Sequence, residues 1–236
     1  MPKSTCWKEH LRDMLKGDFN RKSLLLYLVF NYSLALLFLA LATITLAMEK
    51  GFSFLVNDIS NTGSPGRNPR GWIFFSIFLV YGGILMIPVD RFFFKRMKFL
   101  DMSASMIITL FYLTGSIGTA LVGIFPSEVS YFMHVLSAGL AFGGYGIGFL
   151  IFLGVVIRQK RWQFTWTYTI FLPVIAGLMI TQGYIIFTAN ADFDAFRGTI
   201  MSVSLWEWLL FFSVILTLIF KAILLQGATD AQKTDR

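Results

Sequence analysis

Charged residues and cysteine are scarce in this sequence, and each shortage narrows the class of protein. Asp, Glu, Lys and Arg make up 14% of the 236 residues, whereas a soluble domain carries about 25%. The single cysteine, Cys6, excludes an intramolecular disulfide. The two histidines, His10 and His134, form no His-Glu-x-x-His motif, so a histidine-rich zinc hydrolase is not expected.

Apolar residues are abundant instead, at 56% of the chain, and they fall into six long runs. A bilayer core is about 30 Å thick and takes about 20 mostly apolar residues of helix to cross. Backbone groups in lipid have no water to bond, so each run is predicted to be a helix. The runs are Leu24 to Ala47, Trp72 to Val89, Ser103 to Ile124, Tyr131 to Ile157, Thr165 to Phe187 and Ser202 to Leu225.

These runs predict an all-α, polytopic integral membrane protein built as one six-transmembrane-helix bundle. Residues 1–23 form an N-terminal segment, residues 24–225 the transmembrane domain and residues 226–236 a polar C-terminal tail. Apolar residues recur at roughly helical spacing within residues 1–23, which favours an amphipathic helix on the membrane surface. A disordered segment is the alternative.

The excess of positive charge, +7 in total, is unevenly distributed between the two sides of the membrane. Counting Lys221 with the tail, 16 of the 20 Lys and Arg lie on the side that carries both termini. Cytoplasmic loops carry such an excess, so both termini are expected in the cytosol. The plasma membrane is the expected location of the protein. On that side we interpret Asp90, Arg91 and Asp101 as surface ion pairs and lipid contacts. Nucleic-acid binding is not expected.

Small residues at four-residue spacing indicate where helices pack closely. The fourth run contains two such pairs, Gly139 with Gly143 and Gly144 with Gly148. The third run has Gly115, Thr119 and Gly123 at the same spacing. These faces are expected to pack within a monomer, with a homodimer as the alternative.

Three polar residues lie within three different apolar runs: His134, Gln182 and Glu207. Each is near the end of its run on the side of the membrane opposite the termini, so the three share a similar depth. At 1.5 Å per residue, all three lie within about 10 Å of that hydrocarbon boundary. A contact between His134 and Glu207 has three interpretations: a hydrogen bond that locks two helices, a site for a ligand or lipid headgroup, or a general acid–base pair. These two residues are therefore also the candidate catalytic residues.

The first loop supplies further candidates, Asp58 and Ser60, in a stretch rich in turn-forming residues. Ser60 is not part of a Gly-x-Ser-x-Gly motif, which surrounds the nucleophile of many hydrolases. The preference of serine for turns is enough to explain its presence in this loop. The acids Asp58, Glu128, Asp192 and Asp194 could hold a cation together with His134 and Glu207. Solvated turn residues are the simpler interpretation, and no metal or cofactor is expected.

Several short motifs resemble one known family. The first loop reads Asp58-Ile59-Ser60-Asn61-Thr62-Gly63, which is similar to the Ile-Ser-x-Thr-Gly loop of Frag/DRAM/Sfk membrane proteins. The turn Gly123-Ile124-Phe125-Pro126, followed by His134 and Phe142, resembles the uncharacterised prokaryotic DRAM-like branch, as does Glu207-Trp208. The resemblance implies six helices and a role around membrane lipids, because the eukaryotic relatives remodel glycolipid anchors, organise phosphoinositides or modulate autophagy.

The sequence thus favours a non-enzymatic membrane protein that binds or organises lipid in an outward-facing polar pocket. The expected ligand-binding residues are Asp58, Ser60, His134, Gln182 and Glu207, and the expected partners are membrane lipids. One alternative is a membrane-embedded lipid acyltransferase or hydrolase that uses His134 and Glu207. A second alternative is a small-solute transporter, against which the few polar residues at the membrane midplane argue.

Overall fold

The structure, a computed structural model, describes residues 7–189 and 192–234, and all regular secondary structure in this part of the chain is helical. Two short 3₁₀ helices lie in connecting segments, at Ile59–Gly63 and Trp162–Tyr168. The α-helices are α1 (Trp7–Leu15), α2 (Arg21–Lys50), α3 (Trp72–Met97), α4 (Met102–Ile124), α5 (Tyr131–Arg158), α6 (Phe171–Thr188) and α7 (Val203–Thr234).

Helices α2 to α7 are long and apolar enough to cross a membrane, which confirms the predicted six-helix fold. Many large apolar side chains on their outer faces are exposed, for example Phe30 and Phe187. Such a surface would be unusual on a soluble monomer and suits contact with lipid. Six consecutive spans put both ends of the bundle on one side, here called the terminal face; the other side is the loop face.

Several helix boundaries differ from the predicted runs; for example, α3 ends at Met97 rather than at Val89. The fifth run begins at Thr165, but residues Trp162–Tyr168 form a 3₁₀ helix and α6 begins only at Phe171. Helix α7 continues to Thr234, beyond the predicted start of the tail at residue 226. Hydropathy detects the part of a helix that lies in lipid, and it does not detect a helix that continues into polar sequence.

Helices α3, α4 and α5 pack most extensively, and glycine allows the close approach. A Cβ atom on Gly144 of α5 would lie 2.5 Å from the backbone nitrogen of Gly115 on α4. A Cβ atom on Gly118 would lie 2.4 Å from the nitrogen of Ala141. The predicted packing role therefore fits Gly144. It does not fit Gly143, because a Cβ atom there would meet nothing within 4 Å.

Replacing Gly144 with alanine should destabilise the bundle by about 1–3 kcal/mol, because the added methyl group forces two backbones apart. Gly143→Ala is the matched control, one position away on the same helix and in open space. It should leave stability unchanged or raise it by up to about 1 kcal/mol, since alanine favours helix. Thermal unfolding in detergent measures both, and equal melting temperatures for the two variants would contradict this account of the interface.

The segment before α2 is fastened to the terminal end of α3. Lys95 donates to the Asp18 carboxylate at 2.6 Å, and Arg91 and Arg96 donate to the carbonyl oxygens of Leu15 and Phe19 at 2.9 and 3.0 Å. Arg91 is thus exposed, as expected, but its contact is with a backbone carbonyl rather than in the predicted ion pair. Asp101 instead caps α4, because its carboxylate accepts from the Ala104 amide at 2.8 Å.

Candidate functional site

A narrow apolar cavity lies inside the bundle between α2, α3, α4, α5 and α7. Its volume is about 130 Å³, enough for about ten water-sized groups. Along α7 it extends from Glu207 to Leu218, about 16 Å at 1.5 Å per residue. Two of the residues that line it, Leu36 on α2 and Phe142 on α5, are partly exposed on the outside of the bundle. At these two residues the cavity is one side chain away from the outer surface of the bundle.

Polar groups in the middle of the cavity wall bond to one another. Tyr81 donates to the side-chain oxygen of Asn31 at 2.8 Å, and Tyr27 donates to the carbonyl of Leu85 at 2.8 Å. Because these groups already have partners, the middle of the cavity presents an almost wholly apolar surface. Such a surface suits a hydrocarbon chain better than a polar solute.

The polar end of the cavity lies toward the loop face and contains Ser60, His134 and Glu207. His134 Nδ1 lies 2.9 Å from the carbonyl oxygen of Phe125. A carbonyl can only accept, so Nδ1 carries the hydrogen, and in the neutral ring Nε2 is then an acceptor. The turn that ends α4 thus fixes the orientation of the imidazole and leaves Nε2 for a ligand.

Glu207 lies beside the first loop rather than against His134. Its carboxyl group is close to the backbone N–H of Ile59 and to the Asp58 carboxylate. Asp58 in turn accepts a hydrogen bond from the Ser204 hydroxyl and lies 3.8 Å from the Arg197 guanidinium. Asp58 therefore lies outside the cavity lining and joins the loop to the start of α7.

The first loop closes the polar end of the cavity, and buried side chains hold it in place. The fully buried Asn68 donates to the carbonyl oxygens of Ala42 and Thr62, both at 2.8 Å. The indole of Trp208 donates to the carbonyl of Asn57 at 2.8 Å. These bonds fasten the loop to α2 and α7, so Ile59 and Ser60 stay over the cavity.

Glu128, in the short turn between α4 and α5, also holds the loop. Its carboxylate accepts from the Ser64 hydroxyl and, at 2.6 Å, from the backbone N–H of Gly66. These two hydrogen bonds keep the pKa of Glu128 below its usual value because they stabilise the charged form, and the positive charges of Arg67 and Lys50 act in the same direction.

The loop is expected to loosen in acid. The pKa of Glu128 is lower in the folded protein than in the unfolded chain. Ionised Glu128 therefore stabilises the loop fully above the unfolded pKa of about 4.3, and this stabilisation is lost as the pH falls through the folded pKa. At neutral pH, Glu128→Gln should reproduce the effect of protonating Glu128. It should lower the free energy of unfolding by at most about 1 kcal/mol because the site is exposed. Hydrogen exchange at Gly66 measures this: faster exchange in the variant is expected, and pH-independent protection in the parent would contradict it.

The predicted site residues are only partly brought together. Ser60, His134 and Glu207 line one end of the cavity, and Asp58 supports it from outside. Gln182 is exposed on α6 and does not line the cavity. No hydrogen bond or ion pair joins His134 to Glu207 in the described part of the chain, so the geometry favours neither the helix lock nor the acid–base pair.

The acids expected as an alternative cation site have other neighbours. Glu128 binds the first loop, and Asp194 forms an ion pair with Arg197 at 2.8 Å. Over residues 7–189 and 192–234, no group of three or more His, Cys, Asp or Glu side chains is arranged to hold a metal ion.

A second polar cluster lies deeper in the bundle, and sequence reasoning missed it. Asp90 of α3 is fully buried, so its interpretation as a surface residue was wrong. One of its oxygens accepts from Ser116 at 2.6 Å, and the Ser116 oxygen lies 2.9 Å from the Tyr145 hydroxyl. Lys221 of α7 is also fully buried, although its charge was counted with the tail.

Lys221 has an unusual environment. It donates to the Tyr112 hydroxyl and lies over the ring of Phe152, with Nζ 3.5 Å from the ring centroid. The ring of Tyr112 lies at 4.4 Å and that of Phe93 at 5.3 Å. Cations are attracted to aromatic faces, so the cluster holds this cation without a direct ion pair. A buried Asp and a buried Lys therefore do occur between the membrane helices.

These features define a multi-pass integral membrane protein with six transmembrane helices and an internal apolar cavity. Residues 34–223 match a family described as a protein of unknown function, DUF998, and the chain belongs to this family. No curated protein and no solved structure matches the chain. The similarity to Frag/DRAM/Sfk proteins stays a prediction.

Proposed function

We propose that the protein binds a membrane lipid, with an acyl chain in the cavity and the headgroup at the loop face. The observation that carries the proposal is the shape and chemistry of the cavity. It is about 16 Å long by its extent along α7, almost wholly apolar in its middle, and has Ser60, His134 and Glu207 at one end. A small polar solute would leave the apolar walls uncovered, whereas a lipid matches both parts.

The route of entry supports a lipid rather than a soluble ligand. The cavity borders the membrane between α2 and α5, where Leu36 and Phe142 are partly exposed. On the loop face it is covered by the first loop, which Asn68 and Glu128 hold in place. A ligand that is already dissolved in the bilayer can enter sideways without displacing this loop.

The polar end offers both kinds of hydrogen-bonding group to a headgroup. Ser60 can donate, and His134 Nε2 and the Glu207 carboxyl group can accept. The similarity of the first loop to Frag/DRAM/Sfk proteins, which act around membrane lipids, agrees with this proposal. The choice between headgroups depends on these three side chains.

His134→Ala and Glu207→Ala should each reduce the amount of lipid that co-purifies with the protein about threefold to tenfold, the loss of a hydrogen bond worth about 0.5–1.5 kcal/mol. Quantitative lipid mass spectrometry after detergent purification measures this, with thermal unfolding as the check on folding. Gln182→Ala is the control, because Gln182 is polar at a similar depth but outside the cavity. Parental lipid content in both cavity variants would refute the proposal.

A further inference from the structure

We propose that Asp90 is a proton-binding site buried in the membrane domain, reached from the cavity through Tyr145 and Ser116, with Lys221 as its counter-charge. The proposal rests on four observations: the complete burial of both ionisable groups, the hydrogen-bond chain, the position of Tyr145 in the cavity wall, and an oxygen of Asp90 without a partner.

Burial alone makes these residues unusual. An ionisable side chain inside the membrane costs several kilocalories per mole unless it is paired, and such residues generally mark ion or proton pathways. Asp90 has only one hydrogen-bond donor, Ser116, and its Oδ1 atom has no partner in the described part of the chain. A carboxylate held for structure alone would have both oxygens satisfied. With only Oδ2 bonded, the charge of Asp90 is incompletely stabilised, which favours the uptake of a proton.

The partners of Asp90 are mostly hydroxyl groups and one amine. The titratable groups that act on it are Tyr32 from α2, Tyr112 from α4, Tyr145 from α5 and Lys221 from α7. Lys221 is close enough to interact electrostatically with Asp90, but its ammonium group bonds to Tyr112 instead. The positive charge of Lys221 therefore lowers the free-energy cost of burying Asp90 as a carboxylate. Because Lys221 does not bond to the carboxylate oxygens, it does not block their protonation.

The hydrogen-bond chain can pass a proton to Asp90 and leave both hydroxyl groups uncharged. With Asp90 ionised, Ser116 uses its one hydrogen on the carboxylate, so Tyr145 must donate to Ser116. When a hydronium ion in the cavity gives its proton to the Tyr145 oxygen and leaves as water, the tyrosine hydrogen passes to Ser116 and the serine hydrogen passes to Asp90 Oδ2. Each hydroxyl is neutral before and after, the carboxylate becomes a carboxylic acid, and every hydrogen bond in the chain reverses.

The chain begins in the cavity. Tyr145 lines the cavity together with Val89, the residue that precedes Asp90, and its ring packs against Tyr112 and Phe149 with centroids 6.1 and 6.4 Å apart. Proton exchange at Asp90 thus depends on the part of the cavity farthest from Glu207. Tyr145→Phe keeps the ring and removes only the hydroxyl, which makes it the most selective change in the chain.

Infrared difference spectroscopy on the full-length protein in phosphatidylcholine nanodiscs tests the proposal, with pH as the variable. The parent should show the C=O band of a protonated carboxylic acid that interconverts with carboxylate within the pH range in which the protein stays folded. Asp90→Asn/Lys221→Met should lose this band, and the double replacement removes both charges so that the protein folds. Glu207→Gln should keep the band, because it changes the carboxyl at the other end of the cavity.

Tyr145→Phe separates a proton route from a structural contact. It should keep the Asp90 band but shift the pH at which the band is half converted, while the melting temperature stays near that of the parent. An Asp90 that shows only carboxylate at every pH would overturn the proposal. A band that survives replacement of Asp90, or one that titrates identically in Tyr145→Phe, would also overturn it.

Discussion

Replacing Lys221 with methionine is expected to destabilise the bundle by about 3–5 kcal/mol, the cost of leaving a buried charge without its partner. Methionine has a similar length and suits an aromatic environment, so lost packing contributes little. Asp90, which is fully buried, then loses the positive charge of Lys221, which acts on it inside the bundle. Asp90→Asn should have a comparable effect for the same reason. Thermal unfolding of the purified proteins in detergent measures both.

Combining the two substitutions should restore most of the lost stability. Replacement of a whole buried ion pair by neutral groups of similar volume is often neutral or stabilising, whereas removal of one member is costly. Lys95→Met is the control: Lys95 pairs with Asp18 at 2.6 Å but both side chains are substantially exposed, so its loss should cost at most about 1 kcal/mol. Additive losses in the double variant would show that Asp90 and Lys221 do not act as a pair.

Filling the cavity should remove the bound lipid while leaving the fold intact. Gly82 of α3 lines the cavity, and a Cβ atom added there meets nothing within 4 Å. Gly82→Leu therefore places a branched side chain in the space proposed for the acyl chain. It should lower co-purifying lipid by about tenfold, which corresponds to about 1.4 kcal/mol. Stability should rise slightly, since leucine favours helix by up to about 1 kcal/mol over glycine.

Gly139→Leu provides the matched control for this experiment. Gly139 lies in the middle of a transmembrane helix, a Cβ atom there also meets nothing within 4 Å, and the residue is exposed outside the cavity. It should retain parental lipid. Equal lipid content in the two leucine variants would mean that the lipid is held on the outer surface of the bundle.

Hydropathy was sufficient for the fold because the bilayer fixes both the length and the composition of each span. Of the predicted site residues, Ser60, His134 and Glu207 line the cavity. Rotation about a helix axis was not readable, because depth along a helix does not say which neighbour a side chain faces. Gln182 has the expected depth but lies on the outside of α6.

The Asp90 and Lys221 cluster was missed because both residues lie near the ends of apolar runs. Asp90 directly follows Val89 and precedes a basic stretch, so it looked like part of a loop. Helix α3 in fact continues to Met97 and α7 to Thr234, which carries both residues into the bundle. The partners Ser116 and Tyr145 come from two other helices, and a single sequence does not pair them.

The most direct test of lipid binding is an experimental map of the protein in phosphatidylcholine nanodiscs. The account predicts continuous density for a hydrocarbon chain along α7 from Glu207 to Leu218, with its polar end beside Ser60 and His134. A cavity that is closed by inward movement of α2 and α5, or that holds only separate water molecules along its length, would contradict it.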